Sequence, residues 1–152
     1  MARRRPTVWR SPRRVTIGVA SVLLALAGCR AERVAAVRDA EIRPAIAGTT
    51  SAAYFVLDNA GRDTVVVDSV TTPAARVAEL HETTIDAAGV ARMRPVGLLT
   101  VPPDSAVRLR PGSLHLMLID VAQPLTVGRR VSLTLWLRGG STLVTSAEVR
   151  AP

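Results

Sequence analysis

Apolar and polar residues alternate over short segments from residue 52 onward, and turn-forming residues separate these segments. A period of two indicates strands with one buried face, and clusters of Asp, Asn, Gly and Pro indicate turns between them. The predicted strands are Ala53–Leu57, Thr64–Val70, Arg76–Thr84, Val90–Val96, Ala106–Leu109, Leu114–Asp120, Val131–Leu137 and Leu143–Val149. Seven or eight short strands of this kind predict an all-β domain, either an antiparallel sandwich or a barrel.

The segment Glu32–Ile42 fits two kinds of secondary structure. Its alanine content slightly favours a helix. Its valines and the alternation over Arg38–Ile42 also suit a strand. Both interpretations stay open on propensity alone, and the following segment, Pro44–Ser51, is predicted to be a loop.

The formal charge of +8 is concentrated at the N-terminus. All 20 basic residues are arginines, and six of them lie in the first 14 residues, where there is no acid. Beyond residue 28, 14 arginines are balanced by 12 acids, which leaves +2. A nearly neutral domain lacks the basic face that nucleic-acid binding requires, so we expect no nucleic-acid partner.

The N-terminal segment has the pattern of a secretory signal. After the arginines, the apolar run Val15–Gly28 has 14 residues, whereas a membrane-spanning helix needs about 20. The run ends in Leu26-Ala27-Gly28-Cys29, which resembles the bacterial lipobox, where the cysteine takes a diacylglyceryl group and becomes the first residue after cleavage. The alternative is an ordinary signal peptide that is followed by an incidental cysteine.

The lipobox divides the chain into a signal peptide (1–28), a lipidated Cys29 with a short tether (29–33) and one domain (34–150). We expect the mature protein to be a monomer in the bacterial envelope, on the periplasmic side, held at the membrane by its lipid anchor alone. Cys29 is the only cysteine, so no disulfide can form within the chain, and the domain depends on its hydrophobic core.

The segment from Leu114 to Leu118 alternates strictly between leucine and other residues. Successive side chains of a strand point to opposite faces. The three leucines therefore share the core face, and His115 and Met117 share the other, which we expect to face solvent. Alternatively, His115 and Met117 alternate by chance on an ordinary surface.

The other histidine and the other internal methionine, His81 and Met93, lie on a predicted hairpin that turns near Gly89. A five-residue loop, Ile85–Gly89, pairs His81 directly with Met93, and directly opposed residues lie on one face. A four-residue loop pairs His81 with Arg94 instead and moves Met93 to the opposite face.

Two imidazoles and two thioethers form a chemically distinctive set of candidate ligands. Thioethers are soft and neutral and favour Cu(I), and imidazole also binds copper. Zinc prefers Cys, His and carboxylate over Met. Because Glu79 shares a strand face with His81, a zinc site made of two histidines and Glu79 is the competing metal hypothesis.

The spacing of these residues resembles the H(M)x₁₀Mx₂₁HxM motif of the periplasmic copper chaperone family PCu(A)C. Eleven residues separate His81 from Met93, 21 separate Met93 from His115, and one separates His115 from Met117. The flanking residues are also similar, namely Glu79-Leu80-His81-Glu82, Met93-Arg94-Pro95-Val96, Leu109-Arg110-Pro111-Gly112, Gln123-Pro124-Leu125, Thr134-Leu135, Ala52-Ala53-Tyr54 and Asn59. The resemblance covers roughly Val34 to Val149, nearly the whole chain after Cys29.

This resemblance implies a cupredoxin-like β-sandwich whose first strand lies within Glu32–Ile42. It implies one Cu(I) ion bound by His81, Met93, His115 and Met117. Delivery would be to the CuA site of cytochrome c oxidase or to another copper chaperone. Two departures matter: Glu82 replaces the bracketed Met, and the sequence to Pro152 carries no His/Met-rich tail, so a second site for Cu(II) is not expected.

An enzymatic function has little support, since no nucleophile motif or phosphate-binding loop is present, and we expect no catalysis. The main alternative to copper transport is an interaction or assembly lipoprotein of the same fold that binds no metal.

Overall fold

The computed structural model describes residues 35–152. All regular secondary structure in that range is β-strand. The strands are β1 (Ala35–Ile42), β2 (Ser51–Asn59), β3 (Val65–Thr71), β4 (Ala75–Ile85), β5 (Ala91–Pro95), β6 (Leu99–Val101), β7 (Ser105–Arg108), β8 (Leu114–Val121), β9 (Arg130–Leu137) and β10 (Thr142–Val149). The predicted signal peptide (1–28), Cys29 and the tether (29–33) lie outside the described residues.

The strands form one hydrogen-bonded path in the order β5-β4-β8-β2-β1-β10-β9-β3-β6, and β7 joins β2. The first half of β2 pairs with β8 and its second half with β7. Every pairing is antiparallel except that of β1 with β10, which is parallel. The predicted antiparallel β-sandwich is confirmed, and the single parallel pair, β1 with β10, is a feature that the sequence pattern did not predict.

Side chains from both halves of this path meet in a single core. Leu80, Leu116 and Leu118 from β4 and β8 belong to the same buried cluster as Leu133 and Leu135 from β9. Each of these strands contributes alternate residues, as the sequence pattern predicted. The molecule is a β-sandwich, and the leucine face of β8 packs into its core.

The ambiguous segment before Pro44 is a strand. Residues 35–42 pair with β2, and Ile42 is fully buried. Tertiary pairing thus outweighs the helical propensity of the alanines. One strand was missed by the sequence analysis: Leu99–Val101, which has only three residues and pairs with β3.

The predicted turn after β2 is fixed by a buried side chain. Asn59 is 2% exposed, and its amide nitrogen donates to the carbonyls of Asp63, Val101 and Pro102, while its amide oxygen accepts from Gly61 N–H. A buried amide with these partners joins the β2–β3 turn to β6.

Within residues 35–152, no helix has the length and apolar character needed to cross a membrane.

Candidate metal centre

The two histidines lie side by side on neighbouring strands. His81 of β4 is directly opposite His115 of β8, and their ring centroids are 6.2 Å apart. Two positions along, Glu79 is directly opposite Met117. Because the side-chain period of a strand is two, all four side chains project from one face of the β4–β8 pair. The intervening Leu80 and Leu116 point into the core.

His115 is the most enclosed of the candidate ligands. It is only 4% exposed, so the prediction that it faces solvent is wrong, whereas Met117 is half-buried. The Nδ1 atom of His115 lies 2.8 Å from the carbonyl oxygen of Ser113, which also accepts the backbone N–H of Thr83. The turn before β8 and the base of the β4–β5 hairpin therefore meet at this histidine and restrict its access to water.

The hydrogen bond to Ser113 determines the tautomer of His115. A carbonyl oxygen can only accept, so Nδ1 carries the proton and, in the neutral ring, Nε2 carries the lone pair. A metal ligand needs that free lone pair, and a fixed second nitrogen orients the ring for binding. The sequence analysis did not single out Ser113, since a backbone carbonyl leaves no mark in the residue pattern.

His81 is less enclosed, with 15% of its side chain exposed. Its Nε2 atom lies 3.3 Å from Oε2 of Glu79. The two residues are on the same face of β4, as the sequence pattern predicted.

The register of the β4–β5 hairpin differs from both predicted registers. Met93 is directly opposite Thr83, and His81 is opposite Pro95. Relative to the register predicted for a five-residue loop, β5 is shifted by two residues along β4. A shift of two residues leaves each side chain on its predicted face. Met93 therefore shares the face of His81 but lies diagonally from it, and it is 53% exposed.

The side chain of Asp86 explains this register. Its carboxylate accepts the backbone N–H groups of Ala88 and Val90, at 3.0 and 2.9 Å, and its own N–H donates to the Val90 carbonyl. Such an Asx turn fixes a loop from residue 86 to residue 90. Ile85 consequently stays in β4 and pairs with Ala91, one position further than predicted.

Charges are segregated between the two faces of this hairpin. Arg94 pairs with Glu82 at 2.7 Å on the face opposite to Met93, and Arg92, on that same face, pairs with the loop residue Asp86 at 3.2 Å. The pKa of Asp86 is held below its usual 3.8, chiefly by the hydrogen bond from the Val90 N–H. Burial opposes this shift, whereas the Ala88 N–H and the Arg92 guanidinium also lower the pKa.

The arrangement has the chemistry of a soft metal site. A metal–nitrogen bond of about 2 Å, plus the ring radius, places two imidazole centroids that share an ion roughly 5 to 6 Å apart, close to the distance between His81 and His115. By strand register, the side chains of Met117 and Met93 are on the same face as the two histidines. Among residues 35–152, no group of three or more His, Cys, Asp or Glu side chains is arranged to hold a metal, so the zinc hypothesis with Glu79 gains no support.

Comparison with known proteins identifies the family of the chain. Residues 35–149 match the family described as "Putative lipoprotein LpqE-like". The chain belongs to the LpqE-like family. A relative from Leifsonia xyli subsp. xyli, described as "Putative lipoprotein Lxx21020", is 31% identical over 144 residues, which cover 87% of this chain and 86% of that protein.

Solved structures agree with this membership. The LpqE-like chain superposes on Cu(I)-bound DR1885 from Deinococcus radiodurans with a TM-score of 0.59 and 31% identity, over 82% of this chain and 83% of that one. It superposes on a copper-bound PCuAC domain from PmoF2 with a TM-score of 0.63 and 23% identity, over 76% and 92% of the two chains. These likenesses confirm the cupredoxin-like β-sandwich and the resemblance to PCu(A)C domains.

Proposed function

We propose that this LpqE-like protein carries one Cu(I) ion in the cell envelope and passes it to an acceptor protein. The observation that carries the proposal is the cluster on the β4–β8 face, where the ring centroids of His81 and His115 are 6.2 Å apart and Met117 is on the same face. Met93 extends the same face onto the hairpin. The Cu(I)-bound relative from Deinococcus radiodurans, at 31% identity, supports copper as the cargo.

The donor atoms suit Cu(I) better than other biological metals. The two thioethers are soft and carry no proton, and the two imidazoles are borderline donors. The four ligands are neutral, so the ion keeps its positive charge when it binds. A charged ion without compensation is costly to bury, and the exposure of Met93, at 53%, lowers that cost by leaving one side of the site open to water.

The exposure of the ligands suggests an order of release. His115 is 4% exposed, the side chain of His81 is 15% exposed, and Met93 is 53% exposed. An incoming ligand of the acceptor protein reaches the most exposed donor first. Met93 is therefore the ligand that leaves first, while His115 holds the ion until the transfer is complete.

We place this exchange at the surface of a bacterial membrane. Cys29, outside the described residues, would carry the lipid, and two or three acyl chains anchor a protein stably. The lipoprotein descriptions of the family and of the Leifsonia relative support this location. By resemblance to PCu(A)C, the acceptor is the CuA site of cytochrome c oxidase or another copper chaperone.

The test of this function is direct analysis of the bound metal. The full-length chain, purified in detergent micelles, is loaded with Cu(I) under reducing conditions and separately with Zn(II), and X-ray absorption identifies the donor atoms. The proposal predicts one copper per chain, bound by two nitrogen and two sulfur atoms. If the chain retains no more copper than zinc after the two loadings, the result would instead support the metal-free interaction role.

A further inference from the structure

A carboxylate lies directly beside the proposed copper ligands. Glu79 is two positions before His81 on β4 and directly opposite Met117 on β8. Its Oε2 atom is 3.3 Å from Nε2 of His81, and half of its side chain is exposed. Glu79 therefore belongs to the same face as the four ligands and contacts one of them.

The ion pairs of this region distinguish Glu79 from the neighbouring acids. Glu82 and Asp86 pair with Arg94 and Arg92 on the reverse face of the hairpin. Among residues 35–152, Glu79 has no arginine partner of this kind, and its carboxylate contacts the His81 ring instead. Its negative charge is consequently directed at the ligand cluster, whereas the charges of Glu82 and Asp86 are balanced by arginines.

We propose that Glu79 is the outer carboxylate of the copper site, which orients His81 through a hydrogen bond and supplies the negative charge that four neutral ligands lack. The inference rests on the proposed copper site. Carboxylates that hydrogen-bond to a ligating histidine orient the ring and raise its basicity. An opposite charge near a bound cation also stabilises it directly, and more strongly when the site is partly enclosed.

Two properties of the site follow from this role. Cu(I) binds more tightly because the carboxylate attracts the ion and holds the imidazole. The Cu(II)/Cu(I) reduction potential is also lower than four neutral ligands alone would give, since a negative charge stabilises the doubly charged ion more than the singly charged one. A purely structural residue would affect the first property but not the second.

The experiment compares Glu79→Gln with Glu82→Gln in the full-length chain in detergent micelles. Glu82 is a matched control because it is a carboxylate on β4 that faces away from the ligands and makes an exposed ion pair of small energetic value. Competition with a Cu(I) chelator should show about tenfold weaker binding for Glu79→Gln, the low end of the usual effect of outer-shell partners. Glu82→Gln should stay within about twofold of the wild type.

Voltammetry of the same variants distinguishes an effect of the Glu79 charge from an effect of Glu79 on the structure alone. Glu79→Gln should raise the reduction potential, and Glu79→Asp, which keeps the charge, should restore most of the wild-type value. Equal affinities and potentials for Glu79→Gln and Glu82→Gln, with the wild type binding copper, would overturn the inference and leave the copper site intact. Weaker binding without a change in potential would also overturn it. If the wild type binds no copper, the proposed function itself fails.

Discussion

His81 lies directly opposite His115 across β4 and β8, with ring centroids 6.2 Å apart, yet the surroundings of the two rings differ. His115 is buried and hydrogen-bonded to the Ser113 carbonyl, whereas His81 is partly exposed and contacts Glu79. The ring of His115 is therefore enclosed, whereas 15% of the His81 side chain remains exposed. This asymmetry leads to different expectations for the two residues.

Replacement of His115 should affect stability as well as metal binding. His115→Ala removes a buried ring and its hydrogen bond, which should lower the free energy of unfolding by about 2–4 kcal/mol. His81→Ala, at a partly exposed position, should lower it by less than about 1 kcal/mol. Urea denaturation of the metal-free variants measures both values. Equal losses would contradict the asymmetry of the two sites.

The exposed position of Met93 predicts an effect on the rate of copper release. Met93→Ala should speed the transfer of Cu(I) to a chelator by about tenfold, equivalent to about 1.4 kcal/mol, because the ligand that protects the ion from attack is missing. Ile85→Ala is the matched control, since Ile85 is 70% exposed on the same face of the same hairpin. Stopped-flow absorbance of the chelator complex gives the rates, and identical rates for the two variants would exclude Met93 as a ligand.

The hairpin loop should respond to acid through Asp86. Its pKa is lowered chiefly by the Val90 N–H, so the ionised carboxylate stabilises the loop. Because the folded-state pKa is depressed, this contribution is present above the usual value of 3.8 and is lost as the pH falls through the folded-state pKa. The amide NMR signals of Ala88 and Val90 should shift together over that range. Asp86→Asn should abolish this step, whereas a step that persists in the variant would assign the titration to another group.

The cysteine at the predicted lipobox should determine where the protein is found. We expect membrane-extracted protein to begin at Cys29 and to carry the mass of a diacylglyceryl group, as intact-mass spectrometry would show. Cys29→Ser should move the protein from the membrane fraction to the soluble fraction. An unmodified Cys29, or a mature N-terminus at another residue, would support the ordinary signal peptide instead.

The sequence predicted the strand that carries the site because its alternation is strict. Leu116 and Leu118 are fully buried, as the pattern from Leu114 to Leu118 requires, and His115 and Met117 share the opposite face. The strand character of residues 35–42 followed only from the family resemblance, since alanine propensity favours a helix when no neighbouring strand is considered. The three-residue strand Leu99–Val101 is too short to show a period.

Two features of the site depend on contacts that a residue pattern does not contain. The hairpin register is set by the hydrogen bonds from the Ala88 and Val90 amides to the Asp86 carboxylate, and loop length alone did not distinguish the registers. His115 is buried, and its Nδ1 atom is hydrogen-bonded to the Ser113 carbonyl at the turn before β8. Alternation defines two faces of a strand but does not show what covers each one.

The most direct test of the copper site is competition between the full-length chain and a Cu(I) chelator, measured for the wild type and for Met93→Ala/Met117→Ala. Thioether sulfur favours Cu(I) specifically. The double variant should therefore bind Cu(I) at least about 100-fold more weakly, equivalent to about 2.8 kcal/mol, and should keep its Zn(II) affinity and its fold. Wild-type binding of one Cu(I) with this difference is the predicted result. Equal Cu(I) affinity in the two proteins would contradict a site made of His81, Met93, His115 and Met117.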